Sequence, residues 1–370
     1  MKEKIRGEFS LPVAAAIREQ IIYDAGRLAG DPQSLRVMGK EILMKQTVLI
    51  LRRCGVLLLA MLLVPASGWG MVASIAPGGE VYQAENDGFQ LVLGLSTSFE
   101  SGDMTYMIHG KEDGGWKSEL KWPLDSMLYI GGVGSLRFGE RIQLNAGFWK
   151  SVTDDAGTLE DSDWLYGYYG NARTIYSETE ATLLDGAHFD MSARYDFWTQ
   201  ERILIGAIVG YKATKWEWEA GNGRQWTIDP SEFYEGALPG IGIAYEEQLD
   251  VPYVGAAISS AALSGQLGVN AYLLFSPFAK CEDEDDHLLR GKLSQGDTDG
   301  TFWAIGGDVR WNFAQRFVLS AFANHSAYDL EGEQSQYYYE GESEGSGSTG
   351  IDMTMEGSQT YLGATIGLTF

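Results

Sequence analysis

Hydrophobic and polar residues alternate with a period of two along much of the chain between residues 89 and 370. One such set of apolar positions comprises Leu120, Trp122, Leu124, Leu128 and Ile130. Another comprises Trp303, Ile305, Val309, Trp311 and Phe313, and the last ten residues repeat the pattern up to Phe370. A two-residue period is that of a β-strand with one apolar face. No clear helical period is present, so the pattern predicts an all-β domain.

The lengths of the predicted strands and connections select among all-β folds. The strands exceed the roughly 5–6 residues that are usual in globular sheets. Short connections lie at 138–140, 198–201, 263–265 and 313–316, and long polar ones at about 109–115, 153–184, 218–238, 282–299 and 330–355. An even number of strands with short turns at one end and long loops at the other is typical of an outer-membrane barrel. We therefore predict a ten-stranded antiparallel transmembrane β-barrel with long extracellular loops over residues 89–370. A secreted β-sandwich is the alternative.

The N-terminal part of the chain carries the features of an export signal. Its apolar run at 54–64 is shorter than the roughly 20 residues that a membrane-spanning helix needs. Lys45, Arg52 and Arg53 precede this run, and small residues follow it at 65–70. We interpret 44–70 as a signal peptide, 1–43 as an extension upstream of a natural start, and 71–88 as an N-terminal periplasmic segment. A helical N-terminal domain is the alternative.

Composition narrows the classes of function. The 370 residues include 27 Lys or Arg against 51 Asp or Glu, and a net charge of −24 excludes a binder of nucleic-acid phosphates. With 47 Gly, 11 Trp, 19 Tyr and 15 Phe, the chain is unlike a disordered protein or a helical bundle. Cys54 and Cys281 are the two cysteines, which excludes a disulfide framework and a cysteine zinc cluster. The acidic run at 331–348 is interpreted as a solvated, mobile loop.

Two acidic clusters, each at the external end of a predicted strand, are candidates for chemistry. Asp161 and Asp163 are two residues apart, so their carboxylates point the same way along an extended backbone, about 7 Å apart or less. Asp285 and His287 repeat this spacing. A carboxylate beside an imidazole orients it as a general base, and an opposing acid pair could hold a water molecule. The two clusters together are a candidate hydrolytic site.

Other interpretations of these clusters stay open. Acidic runs in external loops are usually solvated surface, and a calcium loop would need a Gly and a final Glu that residues 283–287 lack. A Ser–His–Asp triad could use Ser162 or Ser177, but the chain has no Gly-x-Ser-x-Gly elbow. The apolar positions of 267–275 are odd-numbered, as are Asp285 and His287. An unbroken strand would turn both outward, so a bulge or bend between them is predicted.

The strand layout and the two clusters resemble the omptin family, outer-membrane endopeptidases of Gram-negative bacteria. The resemblance covers about residues 89–370 and rests on Asp161-Ser-Asp163-Trp164, Asp285-Asp-His287, Gly114-Gly115, Leu120, Trp122, Gly210-Tyr211, Pro252-Tyr253-Val254-Gly255 and the C-terminal strand. It implies an aspartic-type peptidase with Asp161, Asp163, Asp285 and His287 as catalytic residues and a water as nucleophile. It further implies peptide or protein substrates, no metal, and a site that faces outside in the outer membrane.

Two further sites implied by the resemblance depart from the family's pattern. Omptins cut next to basic residues that an acidic pocket holds; Asp283 matches one acid, but Tyr106 stands where the other is expected. We therefore expect only a weak preference for basic substrate side chains. The family's lipopolysaccharide site keeps Tyr211 and Lys215, while Gln248 replaces an Arg. Lipopolysaccharide is the implied activating lipid and membrane partner, and no other cofactor is implied.

Two rival functions remain beside the peptidase. A catalytically silent omptin-like barrel, acting as an adhesin or a structural protein, is favoured by the reduced lipopolysaccharide site. A lipolytic barrel lacks a convincing Ser–His pair. Because all four catalytic positions are filled, the sequence predicts a peptidase.

Overall fold

The computed structural model describes residues 89–110, 115–139, 141–165, 172–200, 202–227, 234–262, 266–314 and 316–370. The predicted extension, signal peptide and periplasmic segment lie outside the described residues. The strands are β1 (Phe89–Gly110), β2 (Trp116–Phe138), β3 (Ile142–Ser151), β4 (Asp155–Leu165), β5 (Ile175–Gln200), β6 (Ile203–Thr227), β7 (Glu235–Ala262), β8 (Leu267–His287), β9 (Lys292–Ala314), β10 (Phe317–Tyr338) and β11 (Gly347–Thr369). Within these ranges no helix is long and apolar enough to cross a membrane.

Neighbouring strands pair antiparallel around a closed sheet. β1 pairs with β2 on one side and with β11 on the other, while β3 and β4 share one position between β2 and β5. The ring therefore has ten strand positions, and the predicted fold class is confirmed. At the closing seam the Phe370 backbone N–H donates to the Leu91 carbonyl at 2.9 Å. Closure matters because an open sheet edge would leave backbone groups unpaired in lipid.

The strands are far longer than a membrane crossing requires. Apart from β3 and β4 they have 21 to 28 residues, whereas a transmembrane strand needs about 9–11. Most of the ranges predicted as loops are consequently strand: β8 and β9 are joined by residues 288–291 alone. The acidic run at 331–348 is likewise mainly paired strand of β10 and β11, so its interpretation as a mobile loop is wrong. Glu340, Glu342 and Glu344 are exposed in the turn at its tip.

The predicted bulge in β8 is present and decides which way its functional end faces. Near the short turn, Val269 and Phe275 are exposed on the outer face. Pro277 and Phe278 are then both exposed, and the pairing with β9 shifts its register between Ser276 and Ala279. An extra residue in a bulge changes the face to which the following residues point. The strand beyond it therefore turns its odd-numbered side chains into the barrel.

In β2 the expectation of one apolar face is wrong. Trp122 and Leu124 are fully buried inside the barrel, whereas Ile130 is 52% exposed on the outside. The change falls at 125–126, where Ser126 has a φ of 57° and the pairing with β1 shifts its register nearby. After Ser126 the strand thus presents apolar residues outward, whereas before Ser126 it presents them to an interior core.

A buried network of charges lies inside the barrel near the short turns. The Arg194 Nε donates to Asp196 Oδ1 at 2.8 Å, and Arg137 Nη2 lies 3.5 Å from Asp196 Oδ2. Arg194 Nη1 also donates to Asn270 Oδ1 on β8, three ring positions away, at 3.3 Å. All three charged side chains are almost completely buried. The network therefore fills the barrel interior and links its walls.

We expect the Asp196→Ala variant to unfold at a clearly lower urea concentration. Loss of the carboxylate that Arg194 and Arg137 share should cost about 3–5 kcal/mol, because it uncouples a buried ion pair. The matched control is Glu235→Ala, which removes an exposed partner of Arg224 and should cost less than about 1 kcal/mol. Tryptophan fluorescence of the refolded barrel measures both, and equal losses would contradict the role given to the network.

Candidate active site

Asp285 and His287 form a buried pair at the end of β8. His287 Nε2 lies 2.9 Å from Asp285 Oδ2, and the Tyr106 hydroxyl donates to the same oxygen at 2.5 Å. Burial alone would raise the pKa of Asp285, but the charge of His287 and the hydrogen bonds from His287 and Tyr106 hold it below its usual value. Asp285 therefore stays ionised and orients the imidazole.

A tight turn places a buried cation beside this pair. The Arg290 backbone N–H donates to the His287 carbonyl at 2.9 Å, and Gly291 has a φ of 56°, which favours glycine. Lys292 then lies directly across the β8–β9 ladder from His287 and is 7% exposed. Burial lowers the pKa of Lys292, and the charge of Asp285 offsets part of that fall. Lys292 was not identified from the sequence. The sequence feature that could have indicated it is Gly291, in the turn that reverses the chain before Lys292.

Asp161 and Asp163 face the pair from β4, four ring positions away from β8. Burial and the charge of Asp163 are the main causes that raise the pKa of Asp161 to about 7; Arg290 offsets part of the rise, and Asp285 contributes a smaller part of it. Asp285 and Arg290 lie close enough to Asp161 for their charges to act on it, so the two acidic clusters face the same part of the lumen. Asp161 Oδ1 is buried and accepts no hydrogen bond within the described ranges. It is therefore an open acceptor for a water molecule.

Asp283 and Tyr106, the predicted substrate-binding residues, have different environments. Asp283 is 6% exposed, and burial together with the charges of Asp285 and Glu247 raises its pKa. Tyr106 is also buried, but its hydroxyl is bonded to Asp285 rather than to an empty pocket. This contact therefore links Tyr106 to the Asp285–His287 pair. No group of three or more metal-ligating side chains is found in the ranges that the structure describes.

The predicted lipopolysaccharide-binding residues lie on the outer face of β6, apart from this site. The Tyr211 hydroxyl donates to Asp250, and Lys215 Nζ lies 2.7 Å from carboxylate oxygens of both Glu217 and Glu246. Gln248 donates to Asp250 as well. Lipid binding here stays a prediction, on a surface where Lys215 is already paired with two acids.

The closed antiparallel ring, the outward apolar residues and the inward polar site define an outer-membrane β-barrel protein. The solved structure of the outer membrane protease OmpT from Escherichia coli superposes with a TM-score of 0.69 at 16% identity, covering 76% of this chain and 97% of that one. This likeness shows the fold.

The family is shown by the sequence itself. A family model described as the omptin family matches residues 88–370, so the chain belongs to the omptin family, and the resemblance drawn from the motifs is confirmed. The chain is 26% identical over 217 residues to the plasminogen activator of Yersinia pestis and 24% identical over 204 residues to Protease 7 of Escherichia coli O157:H7. These matches span 56% and 54% of this chain and 66% and 64% of those relatives, slightly less than two thirds of their length. Family and fold point to the outer membrane of a Gram-negative bacterium.

We expect Asp161→Asn to stabilise the barrel at pH 8.5 but much less at pH 5. The pKa of Asp161 in the folded barrel is about 7, above its value of about 4 in the unfolded chain. The free energy of unfolding of the wild type therefore falls as the pH rises from about 4 to about 7. The gain in free energy of unfolding from Asp161→Asn should reach roughly 2 kcal/mol at most at pH 8.5, because the side chain is partly exposed. Unfolding midpoints at the two pH values measure it, with the exposed Glu160→Gln as control. An equal gain at both pH values would rule out this titration.

Proposed function

We propose that the protein is an outer-membrane endopeptidase whose attacking water is activated by Asp285 and His287 and held by Asp161 and Asp163. The observation that carries the proposal is the Asp285–His287 pair facing two carboxyl groups across the lumen. Membership of the omptin family supports it, as do relatives named as a plasminogen activator and a protease.

The chemistry follows from the orientation of the imidazole. Asp285 holds Nε2 of His287, which leaves Nδ1 to take a proton from the water as the water oxygen bonds to the peptide carbonyl carbon. His287 then delivers that proton to the amine nitrogen as the carbon–nitrogen bond breaks. The products are a carboxylic acid and an amine, without an acyl-enzyme. Lys292 balances the charge of the surrounding carboxyl groups.

Substrates are proposed to be extracellular peptides or proteins. The site lies at the end of the strands opposite the seam at Leu91 and Phe370. Barrels with an even number of strands carry both termini on the periplasmic side, so this end is assigned to the outside. Lipopolysaccharide remains the proposed activating lipid, through Tyr211 and Lys215.

A catalytically silent barrel that acts as an adhesin or a structural protein is the alternative. The observation in its favour is the pairing of Lys215 with Glu217 and Glu246, which leaves little positive charge for lipid phosphates. Cleavage of peptides by the refolded wild-type barrel decides between the two.

We expect His287→Ala and Asp285→Asn to lower kcat/KM by about 10²–10⁴-fold, because the first removes the base and the second leaves it poorly oriented. A quenched-fluorescence peptide assay on the refolded barrel measures the loss. The matched control is Asp286→Asn, which changes the neighbouring carboxylate that Tyr339 contacts on the other face. Full activity in the His287→Ala variant would refute the mechanism.

Tyr106 should act as a positioning residue for this pair. We expect Tyr106→Phe to lower kcat with little change in KM, because the ring remains while the hydrogen bond to Asp285 is lost. That bond lowers the pKa of Asp285, so its removal should move the acidic limb of the pH–rate profile to higher pH. Tyr339→Phe, which removes a similar bond to Asp286, is the control. A change confined to KM would instead favour the substrate pocket that the sequence predicts.

A further inference from the structure

One buried lysine lies at the functional end of the lumen. The buried Lys and Arg side chains in the described ranges are Arg137, Arg194, Arg310 and Lys292. Arg137 and Arg194 belong to the charge network near the short turns, and Arg310 lies across from Gly268, the second residue of β8. Lys292 is therefore the member of this set that is available to the candidate active site.

The turn between β8 and β9 directs Lys292 toward the Asp285–His287 pair. Lys292 stands directly opposite His287 in the β8–β9 ladder. Side chains that oppose each other in an antiparallel pair share one face of the sheet, with Cβ atoms roughly 4.5–5.5 Å apart. Both side chains are buried. The stem of Lys292 therefore enters the lumen beside the imidazole.

The ammonium of Lys292 is under the influence of both acidic clusters. Burial is the largest cause that lowers its pKa, and the charges of Asp285, Asp163 and Asp161 offset part of that fall. Asp285 is on β8, whereas Asp161 and Asp163 are on β4, four ring positions away. A cation on which both clusters act faces the space between them, which is where the proposed mechanism puts the scissile peptide.

Lys292 has donors to spare. Within the described ranges it forms no hydrogen bond and no direct ion pair, whereas the exposed Lys215 and Lys280 each pair with two acids on the outer wall. The nearby Asp285 is already bonded by His287 and Tyr106. An ammonium has three hydrogen-bond donors, and leaving them without a partner in a buried site is costly. The arrangement favours an acceptor that arrives with the substrate.

Hydrolysis by a water molecule creates a charge that the surrounding acids cannot stabilise. As the water oxygen bonds to the peptide carbonyl carbon, an electron pair of the C=O bond moves to the carbonyl oxygen, which becomes an oxyanion. Carboxylates repel this charge, and hydrolytic sites stabilise it with preorganised donors or cations. Arg290 is exposed in the turn, whereas Lys292 points into the lumen. Lys292 therefore meets this requirement.

We propose that Lys292 is a further catalytic residue, whose ammonium donates a hydrogen bond to the peptide carbonyl oxygen and stabilises the oxyanion that forms when the water attacks. The proposal rests on the peptidase function proposed above. His287 takes the proton of the water, the carbonyl oxygen takes the electron pair, and Lys292 keeps its three protons. When the intermediate collapses, the C=O bond re-forms, the C–N bond breaks and His287 returns the proton to the amine nitrogen.

The test separates binding of the transition state from binding of the substrate. Two peptide inhibitors of the same sequence replace the scissile bond, one with a phosphinate and the other with a hydroxyethylene group. Both groups are tetrahedral, but only the phosphinate carries an anionic oxygen, so it alone mimics the oxyanion. Inhibition constants for both are measured on the full barrel refolded with lipopolysaccharide, together with kcat and KM for the parent peptide.

We expect Lys292→Met to lower kcat about 10²–10³-fold with little change in KM, because the carbonyl oxygen of the bound substrate is uncharged. The inhibition constant of the phosphinate should rise by a similar factor, while that of the hydroxyethylene peptide stays nearly constant. Lys292→Arg, which keeps a cation and its donors, should recover most of both losses. The matched control is Lys280→Met, which removes an exposed lysine from the outer wall and should change none of these quantities.

The hydroxyethylene peptide also reports whether a variant is folded, since it binds only an intact site. Where Lys292→Met does not refold, Lys292→Gln takes its place, because the amide is polar and donates a hydrogen bond but carries no charge. Its losses in kcat and in phosphinate affinity should lie between those of the Arg and Met variants.

The outcomes separate this proposal from the proposed function. Equal loss of affinity for both inhibitors would make Lys292 a structural residue and overturn the proposal while the peptidase stands. A lower kcat with unchanged phosphinate affinity would overturn it too, because Lys292 would then act through Asp285, whose pKa it helps to lower. An unchanged kcat in Lys292→Met would do the same. Failure of the folded wild-type barrel to cleave any peptide would refute the peptidase itself, and this role of Lys292 with it.

Discussion

The backbone pairing of β1 with β11 is the interaction on which the rest of the structure depends. It turns the sheet into a ring, and within the described residues the ring leaves no strand edge to lipid. Once the ring is closed, every strand has one face to the outside and one to a narrow interior. The interior can then bury charges such as Asp196, Asp285 and Lys292 against partners on other strands.

The long strands β2 and β8 each contain two segments that face different environments, and an irregular position marks the change from one segment to the other. In β8 the outward pair Pro277 and Phe278 separates a segment with apolar residues toward the membrane from one with Asp283 and His287 toward the lumen. In β2 the change at Ser126 does the same for an interior aromatic core. The candidate site is therefore built on paired strands rather than on loops, and the pairing around the ring fixes how its two acidic halves face each other.

Alternation and residue spacing were enough to predict the barrel and the two acidic clusters. Asp161 with Asp163 and Asp285 with His287 are local pairs, so the two-residue repeat already aligns each pair. The remaining contacts depend on the register around the ring, which no local pattern contains. Tyr106 reaches Asp285 across 179 positions of sequence, and Glu247 meets Asp283 only through the β7–β8 register. For the same reason the predicted loops were largely wrong, because polar residues of β10 and β11 pair with each other as strands.

The acidic tip between β10 and β11 has a consequence for how substrates arrive. Glu340, Glu342 and Glu344 extend a negative field from the rim of a barrel whose interior site is also rich in carboxyl groups. Over a Debye length of about 8 Å at physiological ionic strength, such a field attracts and orients cationic polypeptides before any contact forms. Under the proposed function, capture of a cationic polypeptide should accordingly be a diffusive step that added salt slows, whereas hydrolysis inside the lumen should be shielded from the same ions.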